Sequence, residues 1–320
     1  MNSELIEVEV VNKSTEAEGI VSFELASTAG EVLPAFTPGA HIDLVLPNGL
    51  IRQYSLYEHN DQPQSYKIAV LRELQSRGGS EYVHQNLNVG TTLQISAPRN
   101  HFELVPAKRY LLLAGGIGVT PIMCMAGQLA AQHADFTMHY CCRSRERMAF
   151  HDKLSAAPFA NQVQLHIDEE SSQPAFDAAS VFANVDKDTH LFVCGPKGFM
   201  DFVINSAKAA GWDDSNIHFE YFSGVEMTPD DADSFQIKLA SCGKLLTVKD
   251  DQTVLQVLQD NGVDVPMSCE QGVCGTCVTK IIDGEPEHRD LFLTQAERDS
   301  NSVFTPCCSR AKSALLVLDL

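Results

Sequence analysis

Apolar and polar residues alternate with a period of two along about the first hundred positions. The segments IEVEVV, GIVSFELAS, HIDLVLP, IRQYSLYE, SYKIAVLRE and TTLQISA each place every second side chain on one face, the signature of half-buried strands. Turn-forming residues separate them, and Asn48-Gly49 between the third and fourth predicts a hairpin. Short strands arranged this way predict a small antiparallel β-barrel over residues 1–106.

From about Lys108 the pattern changes. RYLLLAGG, FTMHYCC, VQLHID, HLFVCGP and IHFEYF are nearly continuous apolar runs, separated by helical stretches such as PIMCMAGQLAAQ. Strand–helix alternation with doubly buried strands predicts a parallel sheet covered on both faces, here over residues 107–224. The polar, acidic stretch SGVEMTPDDADS at 223–234 reads as an interdomain linker, with residues 225–234 assigned to the linker alone. Residues 235–320 begin with strands again and end in ALLVLDL.

Composition narrows the class. The chain has 320 residues, 44% hydrophobic and 20% charged, which suits two or three domains with proper cores. Acidic side chains outnumber basic ones, 42 to 23, for a net charge of −19 that repels phosphate backbones and argues against nucleic acid as a partner. No uncharged apolar run reaches the roughly 18 residues needed to span a bilayer. The start, MNSELIEVEV, lacks the basic end and apolar core of a signal peptide. These features predict a cytoplasmic protein without a membrane partner. Ten cysteines in such a chain point to metal ligation or redox chemistry rather than disulfides.

Three of those cysteines lie in CEQGVCGTC. Cys269, Cys274 and Cys277 form C-x4-C-x2-C, and Cys307 and Cys308 follow downstream. This is the plant-type [2Fe–2S] spacing. Two irons and two sulfides need four thiolates; one tight loop delivers three and a distant segment the fourth. Gly272 and Gly275 let the backbone curl around the cluster and aim N–H groups at its sulfurs. A structural zinc site would show a second short-spaced cysteine pair, which is missing. Spacing alone leaves Cys307 and Cys308 open as the fourth ligand. Cys124, Cys141, Cys142, Cys194 and Cys242 lack ligand spacing and are expected to be small buried residues.

Such a cluster accepts one electron at a time from a strong reductant. LLLAGGIGVTP supplies a place for one: a strand ends in Gly115, Gly116 and Gly118, and a helix is expected to open at Pro121. Glycines allow close approach of a pyrophosphate, and the helix start offers unpaired N–H groups and the positive end of its dipole. The third glycine of a full dinucleotide fingerprint is absent, and a plain glycine turn is the competing explanation. Cys194, Gly195 and Pro196 close a later strand at the same carboxyl edge, where ligands of open α/β sheets bind. Asp168, Glu169 and Glu170 end the QLHID strand there; acids suit a ribose diol and repel a 2′-phosphate, which favours NADH over NADPH. Arg143, Arg145 and Arg147 read first as a solvated basic turn and second as pyrophosphate contacts, Arg143 foremost.

NADH delivers two electrons together, so a flavin must stand between it and the cluster. RQYS in the barrel offers Arg52 for a phosphate, Tyr54 to cover a ring and Ser55 to bond a ring nitrogen. Gly78, Gly79 and Ser80 precede a short helix and form a second anion cradle. RQYS alone would equally suit an ordinary strand with a surface arginine.

R-x-Y-S (52–55), G-G-S (78–80), G-G-I-G-x-T-P (115–121), C-G-P (194–196), H-F-E-x-F (218–222), HRD (288–290) and the C-terminal cysteines occur in one order along the whole chain. In this the chain resembles the phthalate dioxygenase reductase and vanillate O-demethylase reductase family of the ferredoxin–NADP⁺ reductase superfamily. The resemblance implies a multidomain protein: antiparallel flavin barrel, parallel α/β nucleotide domain and β-grasp-type ferredoxin domain. It implies FMN rather than FAD, with the G-G-S turn on the terminal phosphate. Ser55 would lie near flavin N5, Thr120 would approach the flavin, Phe222 would stack near its ring, and Glu220 would flank the nicotinamide path. Ile68, Ala69 and Val70 are further candidate flavin contacts. Aligning CCSRA with the family's cysteine, one variable residue and Ser-Arg-Ala makes Cys307 the fourth ligand. The partner implied is a Rieske-type non-haem iron oxygenase. On this reading no side chain need act as acid or base, because positioning supplies the catalysis. Two other readings stand beside it: a non-enzymatic ferredoxin-type electron carrier, and a reductase for a di-iron hydroxylase, where cluster-first domain order is common.

Overall fold

The period-two segments become strands β1 (Ile6–Ala17), β2 (Ile20–Ser27), β3 (His41–Val45), β4 (Ile51–Ser55), β5 (Ser65–Leu71) and β6 (Thr92–Ile95), with helix α1 (Gly79–Asn86) between the last two. They form one antiparallel sheet in the order β4-β3-β6-β1-β2-β5. A bridge between Leu56 and Ile68, with Tyr57 N–H donating to the Lys67 carbonyl at 3.1 Å, joins the outer strands and closes the barrel. The alternation explains the core: Val8, Val10, Phe23, Leu25, Ile42, Leu44, Ile68 and Val70 all point inward and are buried. Each contributes about 1.5–3 kcal/mol by leaving water. The structure, a computed structural model, describes residues 5–73, 78–170, 176–183, 187–222 and 234–320. The linker expected at 225–234 lies outside the described residues except for Ser234.

The second half of the first unit is β7 (Arg109–Gly115), α2 (Val119–Ala131), β8 (Asp135–Cys142), α3 (His151–Ser155), β9 (Val163–Ile167), α4 (Ala178–Phe182), β10 (Thr189–Gly195), α5 (Lys197–Ala209) and β11 (Ile217–Tyr221). The sheet order is β11-β10-β7-β8-β9 and every neighbouring pair is parallel. Along β7, Leu112 and Ala114 enter one apolar cluster with residues of α2, and Leu111 and Leu113 enter another with residues of α5. The α2-side cluster also takes in Ile20, Ala69 and Phe102, so barrel and sheet share a core and belong to one compact unit ending at Phe222. The 106/107 division drawn from the pattern falls inside that unit.

The second unit holds β12 (Phe235–Leu239), β13 (Leu245–Val248), α6 (Val254–Asp260), β14 (Thr279–Asp283), β15 (Pro286–Glu287), α7 (Gln295–Asp299), β16 (Val303–Phe304), β17 (Arg310–Ala311) and β18 (Leu315–Leu318). Its main sheet runs β13-β12-β18-β14-β16, with β12 and β18 parallel, and α6 contributes Val254, Leu255, Val257 and Leu258 to the core, a β-grasp arrangement. Thr253 starts α6 with a capping box to Gln256. Among the described residues no helix is long and apolar enough to cross a membrane.

Arg310 is the unexpected core residue of this unit. It is 3% exposed, lies over the Phe235 ring at 5.1 Å and donates to the carbonyls of Gln252 (3.1 Å) and Lys249 (3.3 Å). The guanidinium thereby ties the turn after β13 to the segment that follows Cys307 and Cys308. Arg310→Ala leaves those carbonyls without a buried partner and costs about 1.5–3 kcal/mol. Visible absorbance of the cluster should disappear on heating at a temperature lower by on the order of 10 °C, and an unchanged melting curve refutes the role.

Candidate functional site

Cys269, Cys274, Cys277 and Cys307 are all buried, at 3–8% exposure. The loop between α6 and β14 carries the first three. Gly272 (φ +72°) and Gly275 (φ +68°) turn it through the left-handed region, which side chains rarely adopt. A Cβ at Gly275 would meet the Phe292 ring at 2.2 Å, and one at Gly272 would meet Cys308 Sγ at 2.4 Å. Backbone N–H groups do point at sulfur, from Gln271 to Cys269 Sγ (3.3 Å) and from Thr276 to Cys274 Sγ (3.5 Å). The Cys269 thiol lies within hydrogen-bond reach of Cys274 and Cys307, and Cys307 within reach of Cys269 and Cys277. This crowding drives the Cys269 thiol toward ionisation and holds Cys274 and Cys307 protonated. Four converging thiols with N–H donors around them fit an iron–sulfur cluster, which accepts them all as thiolates. Cys308 hydrogen-bonds with Thr305 Oγ1 at 3.2 Å and packs behind the loop at Gly272.

Of the other cysteines, Cys124, Cys142 and Cys194 are buried and Cys141 is half-buried, as small core residues should be. Cys242 departs from that expectation. It is exposed in the turn between β12 and β13, where no strand neighbour covers it.

Gly115, Gly116 and Gly118 lie at the carboxyl end of β7, as expected, but helix α2 starts at Val119, two residues before Pro121. Proline fits there because its missing N–H belongs to the first turn. A Cβ at Gly118 would sit 2.3 Å from the Cys194 carbonyl oxygen and 2.6 Å from Gly195 N, so the two loops meet backbone to backbone. Phe199 covers Gly115 and Gly195 from the α5 side, with ring atoms 2.7 Å and 2.8 Å from where their Cβ atoms would be. Thr120 is 2% exposed and its hydroxyl donates to the Ile117 carbonyl at 3.1 Å. Pro196 is exposed and starts α5.

At the end of β9, Asp168 and Glu169 are exposed, while Glu170 accepts two hydrogen bonds from Arg145, at 2.7 Å and 3.0 Å. Arg147 reaches Glu18 at 3.4 Å. Of the three arginines, Arg143 alone is not drawn into a described ion pair, and it lies exposed beside the acids. The free basic turn expected from the sequence is therefore largely neutralised.

In the barrel, Arg52 and the G-G-S turn do come together. Gly78 has φ +85° and precedes α1, so Gly79 and Ser80 lie inside the first helical turn rather than ahead of it. Arg52 Nε lies 2.3 Å from where a Gly79 Cβ would project. A guanidinium and a helix start converge there, a fit for a phosphate. Tyr54 is half-buried, and burial raises its hydroxyl pKa far above the usual value. Ile68 and Val70 face the barrel core and Ala69 the shared cluster, which leaves only their main chain for a ligand.

The catalytic candidates also meet. Ser55 is 6% exposed and donates to Glu220 Oε2 at 3.4 Å. Burial pushes the Glu220 carboxyl up to about 8, against a weaker downward pull from Ser55. Cys194 pairs with Glu220 across β10 and β11, and Phe222 stands 38% exposed just beyond. One neighbour escaped the sequence reading: His41, 5% exposed, faces Ser55 across β3 and β4 and has Nδ1 4.0 Å from Glu220 Oε1. Only the hairpin register could have revealed it.

Comparison with known proteins bears on both units. Residues 239–312 match the family model of the 2Fe-2S iron-sulfur cluster binding domain. Residues 96–217 match that of the dimethylamine monooxygenase subunit DmmA-like N-terminal domain. Vanillate O-demethylase oxidoreductase of Pseudomonas sp. (strain HR199 / DSM 7063) is 50% identical over 99% of this chain and 100% of its own. The phthalate 4,5-dioxygenase oxygenase reductase subunit of Pseudomonas putida is 40% identical over 98% of this chain and 96% of its own. A solved phthalate dioxygenase reductase, described as a modular structure for electron transfer from pyridine nucleotides to [2Fe–2S], superimposes with a TM-score of 0.77 at 36% identity, covering 99% of this chain and 98% of that one. On these likenesses the chain belongs to the vanillate O-demethylase and phthalate dioxygenase reductase family of flavin iron–sulfur oxidoreductases, the reductase components of oxygenase systems.

Proposed function

We propose that this protein oxidises NADH, passes the electrons through FMN and a [2Fe–2S] cluster, and delivers them singly to a Rieske-type non-haem iron oxygenase. The observation that carries the reading is the convergence of Cys269, Cys274, Cys277 and Cys307 in one chain with a nucleotide edge and a phosphate cradle. The functional division follows the chain: 1–106 for the flavin, 107–224 for the dinucleotide, 235–320 for the cluster.

The flavin supplies the exchange between paired and single electrons; the side chains bind and orient. Arg52, Gly78, Gly79 and Ser80 hold its phosphate, and a single cradle suits FMN, which ends in one phosphate. Tyr54 and Phe222 flank the ring, Ser55 bonds a ring nitrogen, and Thr120 holds the α2 turn close. The main chain of Ile68, Ala69 and Val70 lines the inner side. Gly115, Gly116 and Gly118, with Cys194, Gly195 and Pro196, form the floor for the pyrophosphate, which Arg143 reaches. Cys307 completes the cluster ligands, supported by its reach to Cys269 and Cys277. The names of the relatives, a demethylase and a dioxygenase, support an oxygenase as the acceptor.

NADH-driven reduction of cytochrome c by the purified holoprotein tests the reading, together with anaerobic bleaching of its flavin. A preparation that binds iron and flavin but is inert to NADH overturns it. For the coenzyme, Asp168 and Glu169 carry the discrimination. Removing one exposed charge with Asp168→Ser should raise the NADPH/NADH ratio of kcat/KM by about threefold to tenfold. An unmoved ratio takes Asp168 out of the site.

A further inference from the structure

Oxidation of one dihydronicotinamide breaks one C4–H bond and yields two electrons and one proton. The electrons leave singly through the cluster, which accepts electrons alone; the proton stays behind and must reach water on every turnover. Ser55 and Glu220 line the place where it is left; Ser55 is buried and Glu220 keeps only 15% of its side-chain exposure. The barrel offers a polar route from there to the surface.

We propose that His41 is a proton-relay and positioning residue, which takes this proton from Glu220 and passes it to solvent beside His101. Two strand registers build the arrangement. Across β3 and β4 His41 stands opposite Ser55, and across β10 and β11 Glu220 stands opposite Cys194. His41 Nδ1 and Ser55 Oγ consequently approach the two oxygens of one carboxyl group, at 4.0 Å and 3.4 Å. On its other side the His41 ring lies 5.6 Å from that of His101, tilted by 36°, and His101 is exposed. The line runs from the Ser55–Glu220 pair through one imidazole to a second at the surface.

The neighbours hold this line in place. Backbone bonds between His41 and Arg99, at 2.9 Å and 3.0 Å, clamp the strand to the loop that carries His101. His41 Nε2 lies 3.4 Å from Gln53 Nε2, and Gln53 donates to Asp43 at 3.1 Å. Asp43 in turn binds Arg99 at 2.6 Å, which neutralises the nearest charge on the same strand. Facing groups that titrate or carry charge are thus Glu220 and the Cys194 thiol from the nucleotide sheet, and Asp43, Arg99 and His101 from the barrel. Partial desolvation of the ring against the barrel, then Arg99, lowers the His101 pKa, so its imidazole releases a proton readily at neutral pH. Burial of Glu220 places its titration where it can both take and give a proton near neutrality.

The inference rests on the flavin and NADH reading above, and the experiment separates the two. Wild-type holoprotein bleached anaerobically by NADH establishes that reading; its failure there leaves His41 aside and sinks the parent. The inference is read first by redox-induced infrared difference spectroscopy of the holoprotein. A protonated-carboxyl C=O band should appear, vanish in Glu220→Gln and shift in His41→Gln. In kinetics, His41→Gln should slow cytochrome c reduction by about tenfold or more, with little change in KM for NADH and an enlarged solvent isotope effect. Added imidazole should restore part of the rate in His41→Ala. If His41 variants fail to keep flavin, His101→Gln carries the test, because its exposed ring can be changed without disturbing the core; a smaller slowing that grows as buffer concentration falls is expected. An unshifted carboxyl band together with wild-type rates in His41→Gln, or in His101→Gln at low buffer, overturns the proposal.

Discussion

Cys274→Ala abolishes NADH-driven reduction of cytochrome c while anaerobic bleaching of the flavin by NADH persists. The cluster needs four thiolates, and Cys274 lies between Cys269, whose thiol it reaches, and Thr276, which donates its N–H to the Cys274 sulfur at 3.5 Å. No spare sulfur can take its place. Cys308 is engaged with Thr305 and packs behind the loop at Gly272, away from the position of Cys274 in the sequence of the loop, and Cys242 lies in the turn after β12. The residues proposed for flavin and nucleotide belong to the other compact unit, so hydride chemistry there is expected not to depend on the cluster loop. The contrast between the two assays is the diagnostic. Undiminished transfer to cytochrome c in this variant means that the cluster has been assigned to the wrong residues.

The second large effect is at the proposed phosphate cradle. Arg52→Ala should weaken FMN binding by about tenfold to a hundredfold, the worth of a charge-assisted bond of about 1.5–3 kcal/mol. Arg52 lies against Gly79 in the first turn of α1, where the helix dipole adds to its charge. The variant should emerge from purification with substoichiometric flavin and regain activity when FMN is added. Equilibrium dialysis or fluorescence of the released flavin measures the change. A full flavin complement at wild-type affinity removes Arg52 from the site. Gly79→Ala offers a check on the same contact, because its methyl group must displace the guanidinium.

Sequence pattern carried most of this architecture. Strands with period two and strands with continuous apolar runs differ in how many faces they bury, and that difference separated barrel from parallel sheet before any coordinates. The cysteine loop was equally legible, since C-x4-C-x2-C specifies both the ligands and the turn that gathers them. Pairing across strands was not. A two-residue turn on Asn48-Gly49 would oppose Pro47 to Leu50 and His41 to Leu56. The hairpin instead bonds Leu46 to Leu50 around a longer turn and sets His41 opposite Ser55. One residue of register decides whether His41 faces Glu220 or turns away from it. Arg310 was missed for a different reason. Nothing local marks an arginine as buried; its partners are carbonyls some sixty positions earlier in the chain. The basic run at 143–147 misled because charge in a sequence does not reveal its counter-ion, and Glu170 and Glu18 supply two of them.

The contact between Gly118 and the Cys194 carbonyl bears on how such an enzyme can diverge. Main chain pressed against main chain admits no new side chain, so the seat proposed for the pyrophosphate is closed to variation. Asp168 and Glu169 stand in open solvent, where substitution disturbs little packing. A lineage, or an engineer, seeking a different pyridine nucleotide is steered toward the rim by the rigidity of the seat.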